Sequence, residues 1–101
     1  FFLREAWRGE GQGPPDLRVE LGAPVRLEQG WLVPFTARNV GRGPAAQVRL
    51  EARLVAPEGE EAAVVTLDLL PARGEEEGGF LFRRDPAAGQ LAARATGFAR
   101  P

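Results

Sequence analysis

Seven residue types are absent from this 101-residue chain: cysteine, histidine, serine, lysine, tyrosine, methionine and isoleucine. Without cysteine, no disulfide can hold the fold together, and the redox compartment is left open. Nucleophilic catalysis needs an activated Ser, Cys, Lys or Thr. Only Thr36, Thr66 and Thr96 are present, each predicted on a strand and with no histidine to activate it. We therefore predict that the chain is not an enzyme.

The acidic residues are the other potential source of chemistry. A hydrolase with paired carboxylates holds them at a fixed separation and raises the pKa of one, whereas most acids here fall on the polar positions of predicted strands. A metal site without His or Cys would need oxygen ligands, as for calcium or magnesium. The clusters at 58–61 and 75–77 lack the alternating spacing with a central glycine that wraps calcium. We expect solvated loops there, and no cofactor or metal.

The charge balance argues against two further classes of function. Thirteen basic residues, all arginine, face fourteen acidic ones, for a formal net charge of −1. Nucleic-acid binding would require a basic surplus and stacking aromatics. No glycine-rich run follows a predicted strand and opens a helix, so a phosphate-binding loop is not predicted. We expect neither a nucleic-acid partner nor a small-molecule substrate.

The first eight residues resemble the end of a membrane-spanning helix. Phe1, Phe2 and Leu3 precede a charged stretch that contains Trp7, and Trp and Arg both favour the membrane interface. Because the chain does not start with Met, we interpret residues 1–8 as the tail end of a removed or truncated membrane helix. The alternative is an amphipathic end that packs on its own domain or on a neighbour. No stretch of the chain is itself long enough to cross a bilayer.

The remaining sequence divides into a linker at 9–15 and one domain at 16–101. The linker is composed mainly of Gly and Pro, which disfavour regular structure. Within the domain, apolar and polar residues alternate with a period of two, which indicates half-buried strands. About seven such segments, separated by turn signals, predict strands near 17–21, 25–28, 31–38, 47–54, 64–69, 80–83 and 91–98.

This pattern predicts an all-β fold, an immunoglobulin/fibronectin-III-like antiparallel β-sandwich with a short N-terminal helical segment. The large core side chains are expected to be Trp31, Phe35, Phe80 and Phe82. Pro34 cannot donate a ladder hydrogen bond, so a free edge or a bulge is expected there. Segment 47–54 consists of good helix formers, but its strict alternation favours a strand.

Arginines on predicted outer positions are the candidate contact residues. Arg49 and Arg53 share one face of a predicted strand, and Arg83 and Arg84 form a short basic pair. One interpretation is a protein-interaction surface, in which these side chains and an exposed sheet edge contact a partner or a second copy. The alternative is a binding site for a small anionic ligand or a lipid headgroup. Cross-strand pairing with glutamates is a third use of such charges.

Three segments resemble the bacterial cell-adhesion-related sandwich domains, in which a strand ends in Asn-x-Gly, a turn of small residues follows, and the next strand opens on Val. They are PDLRV at 15–19, WLVPFTARNVG at 31–41 and AAQVRL at 45–50. A closer resemblance is to a family of small uncharacterised bacterial membrane proteins with one N-terminal helix, a Gly/Pro linker and one sandwich domain. It is carried by LLPARG at 69–74, FLFRRDP at 80–86 and GFARP at 97–101.

The resemblance implies a single-pass, membrane-anchored domain with no catalytic residues to carry over. It favours the membrane interpretation of Phe1, Phe2, Leu3 and Trp7, although the spanning helix of the family is missing from this sequence. By analogy, the domain is expected outside the cytoplasm. The resulting hypothesis is a non-enzymatic interaction or structural module, tethered through the missing helix, that binds a protein partner or associates with itself.

Overall fold

A computed structural model describes residues 14–100 as an all-β domain. The predictions for the N-terminal helical segment, and for Phe1, Phe2, Leu3 and Trp7 in it, lie outside the described residues. The strands are β1 Leu17–Leu21, β2 Val25–Leu27, β3 Gly30–Asn39, β4 Ala45–Ala56, β5 Gly59–Leu70, β6 Glu75–Phe82 and β7 Gln90–Ala99. A 3₁₀ turn, Pro86–Ala88, precedes β7.

The strands form two antiparallel sheets. In the first sheet β3 is central, with β1 and β2 end to end along one side and β6 along the other. In the second sheet β4 is central, between β5 and β7. The β1 side of the first sheet lies over β7, and the β6 side lies over β5. The all-β prediction is therefore confirmed, and the chain crosses between the sheets after β3, β5 and β6.

One core lies between the two sheets, as the period-two pattern predicts. Phe35, Phe80 and Phe82 are buried, and the rings of Phe35 and Phe80 are 4.8 Å apart. Trp31 packs against this core as predicted but is only partly buried, at the start of β3, with the Arg26 guanidinium 5.9 Å from its ring. The other buried core residues are Val33, Ala37, Ala45, Val48, Leu50, Ala52, Leu54 and Leu70.

Pro34 interrupts the neighbouring strand rather than its own. It lies in the central strand of the first sheet, opposite Gly79 on β6. Its carbonyl accepts a hydrogen bond from the Gly22 N–H at 2.8 Å, on the side of β1 and β2. The N–H and C=O of a strand residue point to the same side, so the missing proline donor also faces that side. The break between β1 and β2 lies beside this gap, which explains the irregularity expected from Pro34.

The prediction of solvated loops at 58–61 and 75–77 is wrong, because β5 already begins at Gly59 and β6 includes residues 75–79. Residues 75–79 form the first half of β6 and pair with β3, with Glu75 opposite Arg38 and Gly78 opposite Phe35. Glu75 accepts a hydrogen bond from Arg38 at 3.0 Å, and the absence of a side chain on Gly78 leaves room for the Phe35 ring, which would meet an added Cβ at 2.6 Å. Strand partners, rather than local apolar residues, stabilise this half of β6.

Asn39 ties four parts of the chain together at the end of β3. It is fully buried. Its Nδ2 donates to the carbonyls of Gly43 at 2.8 Å and Leu70 at 3.1 Å. Its Oδ1 accepts from the backbone N–H groups of Asp16 at 3.1 Å and Gly41 at 3.0 Å. All the hydrogen-bonding capacity of the amide is therefore used.

The glycine of the Asn-x-Gly motif has a separate steric role. A Cβ at Gly41 would lie 2.5 Å from both the Asp16 nitrogen and the Pro14 oxygen. Hydrogen bonds from Val40 to the Asp16 carbonyl at 2.8 Å and from Arg42 to the Pro14 carbonyl at 3.2 Å join the two segments here. The end of the predicted linker thus lies against the loop that follows β3.

Candidate interaction surfaces

The outer face of the second sheet carries two of the predicted contact residues. Arg49 and Arg53 both lie on β4 and are exposed, as the alternation predicts. The Arg53 guanidinium pairs with Glu60 at 3.1 Å and with Glu51 at 3.5 Å. Arg49 forms no ion pair within residues 14–100. Exposed pairs of this kind contribute little to stability, so the acidic neighbours of Arg53 offset its charge without fixing the side chain firmly.

Arg83 and Arg84 lie in the connection between β6 and β7. Their backbone N–H groups donate to the two carboxylate oxygens of Glu61, at 2.7 and 3.1 Å respectively. Glu61 lies on β5, in the other sheet, so its carboxylate links the two sheets at this end. Both arginine side chains are exposed.

A cleft of about 400 Å³ opens beside Arg83. Its walls include Leu27, the half-buried Trp31, Glu61 and Leu81. Of the four predicted contact arginines, Arg83 alone lines this cleft. The four arginines are thus distributed over two regions and do not converge on one cavity.

An apolar row crosses the outer face of the first sheet. Val25, Leu32 and Leu81 lie opposite one another on three adjacent strands, and Val25 and Leu81 are 48% and 64% exposed. The alternation places Leu32 and Leu81 on outer positions, so the exposure of Leu81 could be predicted; Leu32 is only partly exposed. Their alignment into one row depends on strand pairing, which the sequence pattern does not provide.

The residues considered for catalysis or metal binding are dispersed. Among the described residues, no group of three or more acidic side chains is arranged to hold a metal ion. The hydroxyl of Thr96 donates to the Arg49 carbonyl at 3.4 Å, while Thr36 and Thr66 lie on the outer faces of the first and second sheets.

Four sheet edges are left without a strand partner within residues 14–100. In the first sheet they are the outer sides of β1 with β2, and of β6; in the second they are the outer sides of β5 and β7. Such edges present unpaired backbone N–H and C=O groups, to which another chain can add a strand. Exposed sheet edges were expected from the fold class. The identity of the strands that form these edges follows only from the observed strand pairing.

Within residues 14–100, shifted pKa values are found for the pair Asp16 and Arg18, at the start of β1. Arg18 donates hydrogen bonds of 3.2 and 3.1 Å to the carboxylate oxygens of Asp16. The hydrogen bond lowers the pKa of Asp16 below its ordinary value, burial opposes this shift, and the positive charge of Arg18 adds to it. Reciprocally, the pKa of Arg18 is raised.

We expect Arg18→Gln to raise the pKa of Asp16 towards its ordinary value. A group whose pKa is lowered in the folded state adds stability above its unfolded pKa, and this stability is lost as the pH falls through the folded pKa. Both side chains are more than half exposed, so the effect on stability is small and the pKa is the better readout. Carbon-13 NMR titration of the Asp16 carboxyl group measures it. An unchanged midpoint, or an equal shift in the control Arg26→Gln, would contradict the expectation.

No helix within the described range is long and apolar enough to cross a membrane. Comparisons with protein-family profiles, with curated proteins and with solved structures found no match to this chain.

Proposed function

We propose that this chain is a non-enzymatic protein-interaction module built on an immunoglobulin/fibronectin-III-like sandwich. The observation that carries the proposal is the set of sheet edges that have no strand partner within residues 14–100, together with exposed apolar and arginine side chains on both outer faces. Edge strands and exposed apolar patches are typical means of binding another protein.

The strand pairing supports the immunoglobulin-like assignment. In such sandwiches, strands A, B and E share one sheet, and strands C′, C, F and G share the other in variable-type domains. If β1 and β2 together correspond to strand A, then β3, β4, β5, β6 and β7 correspond to strands B, C, C′, E and F. Each strand pair observed here then matches a strand pair of the immunoglobulin sandwich. The position of strand G would then be the outer side of β7.

The proposal includes a membrane tether at the N-terminus, with the domain outside the cytoplasm. Its support is the sequence of residues 1–8, with Phe1, Phe2, Leu3 and Trp7, and the family resemblance described above. Because Pro14 lies beside Arg42, a tether would join the domain at the end where the loop after β3 lies. The turn between β2 and β3, with Trp31, would then point away from the bilayer. The alternative, an anion site formed by arginines, is less favoured because they do not share one cavity.

We expect photo-crosslinking in the native membrane to identify an interacting surface. A photoreactive amino acid is placed in the full chain at Leu81, Arg49 or Ala92, which sample the outer face of the first sheet, that of the second sheet and the edge of β7. A module should give a discrete adduct at one or two of these positions. Glu58, in the exposed turn between β4 and β5, is the control position. The absence of a discrete adduct at all three positions would overturn the interaction proposal.

Self-association is tested separately by analytical ultracentrifugation of the chain with and without residues 1–8. A dimer that depends on these residues would assign the interaction to the N-terminal segment, and a dimer in both cases would assign it to the domain. A monomer in both cases rules out self-association and leaves a different protein as the partner.

A further inference from the structure

We infer that the outer edge of β7, which has no strand partner within residues 14–100, accepts an extended strand from a protein partner, with large apolar side chains facing the core at alternate positions and an acidic side chain opposite Arg94. This inference rests on the proposed interaction function and assigns it a site and a partner chemistry. Three features of β7 support it: the backbone edge, the half-open core beside it and the charge on its outer face.

β7 carries the fewest charged residues of the four edges in the described chain, although its pairing with β4 is irregular near Thr96. Natural proteins guard edge strands with charges, prolines and short lengths. Ala23 and Pro24 interrupt the edge formed by β1 and β2. The edges of β5 and β6 each carry a cluster of acidic residues. These acids are Glu60, Glu61 and Asp68 on β5 and Glu75, Glu76 and Glu77 on β6. β7 is ten residues long with one charged residue, Arg94, and no proline.

The core is open beside this edge. On β1, Leu17 and Val19 face inward but remain only partly buried, and so does Leu91 on β7. In contrast, the inward residues of β4 are fully buried in the middle of the same sheet. A cleft of about 290 Å³ lies between the two edges, lined by Pro15, Leu17 and 95–98. A strand added to β7 would pair its backbone and cover the half-buried apolar side chains at once.

The outer face of β7 favours a partner of opposite charge. Arg94 lies opposite Glu51 on β4, but the Glu51 carboxylate pairs with Arg53 at 3.5 Å. Arg94 itself forms no ion pair within residues 14–100. Opposite charges directly across two strands stabilise their pairing, so an acidic residue on the added strand would meet an available arginine.

A second copy of this chain fits the edge less well. Two β7 strands paired about a two-fold axis would bring the two Arg94 side chains onto one face near the axis. β7 contains no acidic residue to offset them. The inward side chains of the second strand, among them Ala93 and Ala95, would be too small to fill the cleft. The occupant is therefore a different segment, with larger apolar side chains.

The test uses a synthetic ten-residue peptide in which Val and Leu alternate with Thr, with one central Glu among the polar positions. The control peptide has the same composition with its apolar residues grouped together, so that it has no apolar face as a strand. We expect saturable binding of the alternating peptide, with amide-exchange protection and NMR shifts confined to β7 and β1. Shifts centred on β5 or β6, equal binding of the control peptide, or no binding at millimolar peptide would overturn the proposal.

Two variants locate the contact. Ala95→Leu fills the cleft from within and is expected to raise the Kd of the peptide at least about ten-fold. A ten-fold change in Kd corresponds to roughly 1.4 kcal/mol of binding free energy. Ala62→Leu makes the same change at an exposed outer position of β5, and binding should not change. Arg94→Glu should weaken binding up to about five-fold, and a peptide with Arg in place of its Glu should restore it. Binding that is insensitive to both Ala95→Leu and Arg94→Glu would overturn the site.

The crosslinking experiment separates the two proposals. An adduct at Leu81 or Arg49 without one at Ala92 would overturn the β7 site and leave the interaction module standing. An adduct at Ala92 that is lost in Ala95→Leu and retained in Ala62→Leu supports both. The absence of adducts at all three positions would overturn the module itself, whatever the peptide does.

Discussion

Replacing Asn39 by Ala is expected to lower the free energy of unfolding by about 3 kcal/mol or more, because two buried carbonyls and two partly buried N–H groups lose their partners together. The carbonyls of Gly43 and Leu70 would lose a donor, and the N–H groups of Asp16 and Gly41 would lose an acceptor. For a domain of this size such a loss lowers the melting temperature by more than about 10 °C. Thermal and urea unfolding followed by circular dichroism measure it.

The neighbouring position supplies the control. Val40 is 50% exposed, and Val40→Ala should change stability by no more than about 0.5 kcal/mol. Asn39→Asp is more specific, since it keeps the shape but turns the two donated hydrogen bonds into contacts between a carboxylate and two carbonyls. Burial and these contacts would raise the pKa of the new carboxyl group, so the neutral form is favoured in the folded state and stability should increase as the pH falls. A loss below 1 kcal/mol for Asn39→Ala, or no pH dependence for Asn39→Asp, would contradict this role.

The role of Asn39 also shows where sequence patterns reach their limit. From the sequence, Asn39 is a residue that caps a local turn, and its bond with Gly41 fits that interpretation. Its contacts with Asp16 and Leu70 span 23 and 31 residues of sequence, so no local rule contains them. They exist because the start of β1 and the end of β5 meet the end of β3, which only the sheet pairing determines.

Alternation predicted which face of most strands is buried. Four alternate residues of β4 face inward and are fully buried, namely Val48, Leu50, Ala52 and Leu54. The composition of this segment also suits a helix. The driving force is the burial of one apolar face against the opposite sheet, and a helix would spread these residues around its axis. The strand choice for this segment is therefore confirmed.

Segments without apolar alternation could not be predicted in this way. Glu75 and Glu76 belong to β6 because Arg38 and Ala37 lie opposite them, and pairing partners are a non-local property. The same limit applies to the candidate interaction site. The residues of β7 were correctly placed on a strand. That this strand is an edge of its sheet within residues 14–100, and that Arg94 has no ion pair with any of those residues, follow from the strand pairing and not from the sequence of β7.

Phe80 offers the largest expected effect from a single core side chain. It is fully buried on β6, opposite Val33, and its ring lies 4.8 Å from that of Phe35. Removal of a buried Phe ring costs about 3–5 kcal/mol, the sum of the lost transfer free energy and the cavity left behind. We therefore expect Phe80→Ala to remove a large share of the roughly 5–15 kcal/mol by which such domains are stable.

The matched control is the same substitution at Phe98, which is 44% exposed on β7. Phe98→Ala should cost less than about 1 kcal/mol, because much of its ring already contacts water. Urea unfolding of both variants, with the slope compared with that of the parent, tests the difference. If Phe80→Ala prevents folding, Phe80→Leu keeps much of the apolar volume and should still lose more stability than Phe98→Ala. Equal losses at the two positions would mean that the two sheets do not enclose their core around Phe80, and the position of β6 against β3 would then have to be revised.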